Sequence, residues 1–409
     1  MRDNTPPRMS DISDEDGELI YFDDEHAPEE DFEEINEDEL LEIANSMPQS
    51  TIEDEGDNAI GEKVPEEDHS ILTFSKHNLA VFCCSLHPSK PWAVSGSEDD
   101  KAYVWNRNTG EVVQEITGHK DSVIAASFSS DGNYLATGDM AGEIFCFKIS
   151  GDEEIKKVWE YSMGDMGWMM WHRAANILLA GSSVEGEIYV WRIPSGDCKV
   201  LPGNGEKCET AELTADGKKL FAGYGGGTVK LWDIKSNTVT MEVNKDHHMG
   251  HKDGVSSVSC DSDNPMYISG GEDGKILFTN NNGAQEVIDT GESVESVAFS
   301  PYPDLKIVAS GTLQGQIAIW DYSKHTLRTT CEHPEPDDGI TTLKFLPDYV
   351  LVVGTIQGNI YGYDVRNGQR KFTLSGHAAE IYDIQYDTNE NVLVTASEDH
   401  TVKIFRCPG

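Results

Sequence analysis

From about residue 69 onward, apolar residues fall in short runs broken by Gly, Asp, Asn and Ser, which is the pattern of strands and tight turns. The runs recur. Aligned on the strand that ends in Trp or another bulky residue, they read DDKAYVW to Trp105, AGEIFCF to Phe147, EGEIYVW to Trp191, GGTVKLW to Trp232, DGKILFT to Thr279, QGQIAIW to Trp320, QGNIYGY to Tyr363 and DHTVKIF to Phe405. The spacings are 42, 44, 41, 47, 41, 43 and 42 residues. Each copy has a preceding apolar strand that ends in small residues, as in WAVSGS, YLATGD and VLVTAS. Before that lies another strand, as in SVIAASF, GVSSVSC and EIYDIQY, and Gly-His precedes it at His119, His251 and His377. Eight units with a period near 43 residues predict a repeat architecture in which each unit buries its apolar faces against its neighbours.

The ends of the array predict how it closes. The last unit has no outer strand after Phe405, but Ser70-Ile71-Leu72-Thr73-Phe74-Ser75-Lys76-His77 resembles Arg370-Lys371-Phe372-Thr373-Leu374-Ser375-Gly376-His377. Residues 70–75 are therefore expected to supply the missing strand and leave no open edge. Eight blades are favoured. A seven-bladed ring with one degenerate unit is the alternative, because units five and seven lack the terminal Trp.

The repeat resembles the WD-repeat family over about residues 69–409, which implies an all-β propeller of four-stranded blades. The family's structural tetrad joins a Gly-His histidine, a strand Ser or Thr, a turn Asp and the Trp. Carried onto this chain, it matches His77, Ser95, Asp99 and Trp105 in the first unit. It also matches His251, Ser269 and Asp273 in the fifth, and His377, Thr395 and Asp399 in the last. Elsewhere the network is expected to be broken, with Ala141, Gly226, Gln314 and Gln357 at the Asp position. These histidines are read as structural. A metal reading of His247, His248 and His251 is set aside because the third is the Gly-His residue.

Composition adds a second region. The 409 residues carry 31 Lys+Arg against 73 Asp+Glu, a formal net charge of −42. Residues 1–68 hold 26 Asp+Glu and only Arg2, Arg8 and Lys63 as basic residues. Such a segment has too little apolar surface to offset its ordering entropy, so an acidic disordered tail is expected there. Two islands interrupt it: Glu18-Leu19-Ile20-Tyr21-Phe22, and Glu29 to Asn45, where Phe32, Ile35, Leu40 and Ile43 fall roughly on one helical face. They read as chance apolar residues in a solubilising tail, or as a segment that folds on a partner or lies transiently on the protein's own site for basic ligands.

The charge balance argues against a nucleic-acid binder and against docking on anionic lipid, and makes a basic partner the natural expectation. No apolar run has the length of a transmembrane helix, and the start lacks a signal peptide's apolar core. The eight cysteines show no zinc spacing and read as reduced core residues of a cytoplasmic protein. No cofactor is expected. No GxSxG, HExxH or dinucleotide fingerprint is present. Gly270 to Lys275 has one residue too few between its glycines for a phosphate loop, and Ile276 cannot hold magnesium. A non-enzymatic, monomeric binding protein is expected.

The repeat domain also distributes its acids unevenly. In the family, the turns between second and third strands and the Gly-His segments share one face around the central channel, which commonly binds peptides. On that face the resemblance places Glu98, Asp100, Asp121, Asp139, Asp165, Glu185, Glu187, Glu206, Glu209, Asp253, Glu272, Glu292, Glu295, Asp337, Asp338, Glu380, Asp383 and Glu398, so that every unit contributes. Crowded carboxylates would raise the local field and attract Lys/Arg-rich segments. Ordinary solvated loops are the alternative. Trp168 and Phe82 are placed near the channel end of first strands, where they could stack on Arg or simply belong to the core.

Longer runs carry a closer resemblance. GHKDSVIAASFSSDGNYLATGDMAGEI, SEDDKAYVWNRNTGE, WMMWHRAANILLAGSS and PSGDCKV, after an acidic leader, are similar to the angio-associated migratory cell protein family. That family is similar to a fungal eight-bladed chaperone of a basic large-subunit ribosomal protein. The resemblance implies an escort that shields a basic segment during ribosome biogenesis. It implies, alternatively, a scaffold in signalling or cytoskeletal complexes of cell migration and angiogenesis.

Overall fold

A computed structural model describes residue 65 and residues 67–408, except 152–153 and 333–337. Residues 1–64 and 66 of the acidic leader, with both its apolar islands, and Asp337 lie outside the described residues; Asp68, expected within the disordered tail, is instead held against the propeller. Every regular element in the described part is a strand, β1 to β32 in chain order, and the strands form eight four-stranded antiparallel sheets. The chain is an eight-bladed β-propeller, all-β, and the seven-bladed alternative is corrected.

The first blade shows the plan. It runs from β2 (Val81–Leu86) at the channel through β3 (Trp92–Ser97) and β4 (Ala102–Asn106) to β5 (Val112–Ile116) outside. Six blades repeat that order from consecutive strands. The eighth draws β30 (Ile381–Asp387), β31 (Val392–Ser397) and β32 (Val402–Arg406) from the chain's end, and its outer strand, β1 (Ser70–Phe74), from the beginning. Phe74 pairs with Val402 and Thr73 with Lys403. The seam is held by side chains too. Phe74 stacks on Trp105 of the first blade, with centroids 4.6 Å apart and planes 9° from parallel. Asp68 accepts from Lys403 Nζ at 2.7 Å and from Ser70 N at 2.8 Å.

Burial explains why the second strands are near-continuous apolar runs. A blade has neighbours on both faces, so WAVSGS, YLATGD, IVASGT, VLVVGT and VLVTAS are buried at every position, whereas outer strands such as β13 (Asp197–Leu201) and β25 (Thr326–Thr330) are mostly exposed. The small residue near each run's end has a steric cause. A Cβ on Gly96 would come within 2.7 Å of Val123 in the next blade, and one on Gly311 within 2.5 Å of Ile340. Blade eight places Ala396 there. Seven cysteines are buried or half-buried, but Cys198 is exposed, which corrects its reading as a core residue.

Candidate functional site

One hydrogen bond recurs in all eight blades and defines a face. The residue that follows each second strand donates its N–H to the carbonyl of the residue just before the innermost strand. Glu98 donates to Ala80, Met140 to Ser122, Ser183 to Asp165, Gly225 to Lys207, Glu272 to Gly254, Leu313 to Ser293, Ile356 to Gly339 and Glu398 to Glu380. These clasps tie the turn after the second strand to the segment entering the channel strand, so both lie at one end of the propeller. At that same end, the second residue of every innermost strand is a bulge: Phe82, Ile124, Gly167, Glu209, Ser256, Glu295, Thr341 and Tyr382. Clasps and bulges together ring the channel mouth.

The histidine networks brace the clasps. His77 Nδ1 bonds Asp99 at 3.1 Å and its Nε2 bonds Ser95 Oγ at 2.9 Å. His251 bonds Asp273 and Ser269 at 2.9 Å each, and His377 bonds Asp399 at 2.8 Å and Thr395 at 2.7 Å. Those bonds engage His251 away from His247 and His248. Two expectations are corrected. The second blade is not broken at Ala141: His119 bonds Thr137 at 2.9 Å and Asp139, two residues earlier, at 3.2 Å. Trp105 does not complete its tetrad, because its Nε1 finds no acceptor among the described residues while the ring stacks on Phe74. Trp320, in a blade without the histidine, does donate to Ser310 Oγ at 2.8 Å.

Asp399 gives the network a pH signature. Burial would raise its carboxyl, but His377, Thr401 and the Ala378 N–H outweigh burial and hold it down at about 2. Asp99 and Asp273 are lowered in the same way, against burial, chiefly by His77 and His251. A carboxyl lowered by folding contributes stability above its unfolded value near 3.8, and loses it as pH falls toward 2. Urea unfolding should therefore show wild type exceeding Asp399→Asn by about 2 kcal/mol at pH 7, with the gap closing between about pH 4 and pH 2. A gap independent of pH would mean the carboxylate's charge is not what stabilises the turn.

The remaining predicted acids divide. Glu98, Glu272 and Glu398 are clasp donors with exposed side chains, and Asp100, Asp121, Asp165, Glu185 and Asp253 are exposed in the adjoining turns. Glu209 and Glu295 are half-buried bulge residues at the mouth, and Glu380 is half-buried on the carbonyl side of its clasp. The half-buried Glu187, Glu206 and Glu292 flank the same turns, and Thr312 Oγ1 donates to Glu292 at 3.0 Å. Asp383 lies one step further down the channel, where it accepts from Cys84 N at 3.0 Å and links blade eight to blade one.

Other positions are corrected. Asp139 and Asp338 are fully buried. Asp338 accepts from Gln357 N, Asn359 Nδ2 and Tyr361 OH, so blade seven offers no free carboxylate at the mouth among the described residues. Trp168 is a wedge between blades three and four, its Nε1 3.4 Å from Cys208 Sγ and its ring over Gly181. That packing agrees with the core alternative, and the side chain is half-buried rather than sealed off.

The carboxylates interact across blades. Glu380's carboxyl is raised by burial and then by Glu398 and Glu295. The Tyr382 phenol is pushed up to about 12 by burial and by Glu398, Glu380 and Glu98. Acids from blades one, six and eight thus act on one spot, beside the Phe82–Tyr382 ring pair at 5.3 Å. Reading the sequence missed Tyr382, although its place in EIYDIQY matches Phe82 in VFCCSL. It also missed the cations Lys120 and Lys207, which pair with Glu143 and Glu209. Exposed apolar side chains share this face, namely Leu79, Met140, Val184 and Leu313.

Comparison with known proteins agrees with this geometry. The WD domain, G-beta repeat family matches residues 69–106, 110–148, 244–279 and 368–406, which are the four units holding histidine networks. The Homo sapiens angio-associated migratory cell protein is 35% identical over 83% of this chain and 80% of that protein. The Saccharomyces cerevisiae ribosome assembly protein SQT1 is 23% identical over 85% of this chain and 88% of that protein. The crystal structure of Chaetomium thermophilum Sqt1 bound to the N-terminus of ribosomal protein L10 superposes with a TM-score of 0.77. That match has 22% identity and covers 83% of this chain and all of the other.

Proposed function

The chain belongs to the angio-associated migratory cell protein family and is a WD-repeat protein-binding scaffold, and from that premise we propose that it is a dedicated escort for a basic large-subunit ribosomal protein. The Lys/Arg-rich segment of the client lies across the clasp face, over the channel mouth. The observation that carries this reading is the grouping of Glu98, Glu295, Glu380 and Glu398 at the mouth: burial raises Glu380's carboxyl and Glu398 and Glu295 add to it, while Glu398, Glu380 and Glu98 add to the burial that raises the neighbouring Tyr382 phenol. Like charges held together without a bound cation are unfavourable in the free protein, and a basic segment relieves that repulsion on binding. Release needs only a stronger polyanion, and ribosomal RNA is one. The resemblance in fold to Sqt1, whose Chaetomium form was crystallised with the N-terminus of ribosomal protein L10, supports the same class of client. Action in the cytoplasm, as a monomer and without direct nucleic-acid contact, completes the proposal.

The test is affinity purification of the full chain from cells in low and in moderate salt. One basic ribosomal protein should co-purify in near-equal amount and dissociate progressively as salt rises, because exposed charge pairs are screened over about 10 Å at 0.1 M. Several cytoskeletal or signalling proteins in its place, retained at moderate salt, would favour the migration scaffold that the relatives' name suggests.

A further inference from the structure

The end of the propeller opposite the clasps carries a site of reversed sign. Antiparallel connectivity puts the turns between first and second strands, and between third and fourth, at that end. At the boundary of blades three and four these turns enclose a cleft of about 650 Å³, within the range of ligand and peptide pockets. Its floor is apolar, formed by Ile177, Val190, Trp191 and Ile234. Its lining includes four cations, Arg192, Lys199, Lys218 and Lys235, all exposed.

Few of those charges are neutralised locally. Lys218 pairs with Asp216 at 3.3 Å, and Lys199 Nζ donates to the Lys235 carbonyl at 3.1 Å. Arg192, Lys199 and Lys235 make no ion pair among the described residues. Two carboxylates share the lining, but each is tied into its own turn: Asp197 by Ser195 Oγ at 2.8 Å and Asp233 by Ser236 N at 2.8 Å. Cations therefore outnumber acids here in a chain whose overall charge is −42.

We infer that this cleft docks a short acidic segment of a partner protein, seating one bulky apolar side chain on the floor and its carboxylates against Arg192, Lys199 and Lys235. Charge complementarity selects the occupant, since the rest of the chain repels an acidic segment and so gives it little non-specific hold elsewhere. The apolar floor selects a peptide over RNA, which would need a cationic footprint extending well beyond one cleft. The clasp face and this cleft lie at opposite ends, so a basic client and an acidic partner can be held together.

The probe is a fluorescein-labelled nonapeptide of alternating Asp and Glu around a central Phe, titrated against the full chain by anisotropy at about 50 mM salt. Saturable binding is expected, weakened at least about tenfold by the exposed-site double variant R192E/K235E and by replacing the peptide's Phe with Gly. An unchanged thermal midpoint establishes that the double variant is folded. Absence of saturable binding, equal affinity for the variant or the Gly peptide, or displacement by an oligouridylate at equal concentration overturns the inference.

Discussion

Reversing Glu98, Glu272 and Glu398 to Lys together weakens capture of a Lys/Arg-rich segment by about 100-fold or more, with the thermal midpoint almost unmoved. The three side chains are exposed, and only their backbone N–H groups form the clasps, so the substitutions leave the fold's hydrogen bonds in place. Each reversal removes an attraction and adds a repulsion. At a screened surface that change is worth about 1 kcal/mol per site, and about 3 kcal/mol for the three corresponds to roughly two decades in dissociation constant. The measurement is a titration of the variant with a basic peptide such as the N-terminal segment of ribosomal protein L10, repeated at increasing salt. Wild-type affinity should fall with salt, whereas the variant's should be weak throughout. Retained affinity would move the client off the clasp face. The same reversal at Asp99, Asp273 or Asp399 is expected to unfold a turn instead, because those carboxylates are engaged by His77, His251 and His377.

Truncation produces the largest effect on stability. Removing residues 1–64 leaves every described contact intact and should change the unfolding midpoint little. Removing residues 1–76 takes away β1, its pairing with β32, the Asp68–Lys403 pair and the Phe74 ring buried against Trp105. Loss of a buried Phe alone costs about 3–5 kcal/mol, and an opened edge adds unpaired backbone groups along β32. Against a total stability of about 5–15 kcal/mol, the longer truncation should yield a chain that is largely unfolded or aggregated at 37 °C. Denaturant unfolding of the two truncations, followed by tryptophan fluorescence, measures the difference. Coincident midpoints would show that the seam contributes nothing. Phe74→Ala isolates the stacking contribution without shortening the chain.

The period, the eight units and the networks of His77, His251 and His377 were all legible in the sequence, because strand spacing and turn residues impose them locally. Asp139 was not. The family's spacing looks for an acid at position 141, but a carboxylate at the end of the second strand reaches the same histidine from two residues earlier. Nothing in a spacing rule distinguishes those two routes to Nδ1. Trp105 failed for the opposite reason. Its place in the motif is right, but Phe74, on a strand that joins the neighbouring eighth blade, holds the ring flat against itself.

Similar limits apply at the channel mouth. That Glu98, Glu272 and Glu398 are free while Asp139 and Asp338 are consumed depends on hydrogen bonds between strands, to which counting acids is blind. Lys207's pairing with Glu209 needs the bulge geometry. The convergence of Glu295 with Glu380 needs the curvature that brings blade six within electrostatic reach of blade eight.

The pairing of β1 with β32 also sets an order of events during synthesis. β1 leaves the ribosome ahead of its partner and must wait, unpartnered, while more than three hundred further residues are translated before β32 emerges to receive it. Until then the nascent chain is an open arc with two raw edges, exposed to intermolecular strand pairing. A ring that cannot close before β32 has emerged is the kind of structure whose yield depends on translation speed and on chaperones for the unfinished arc.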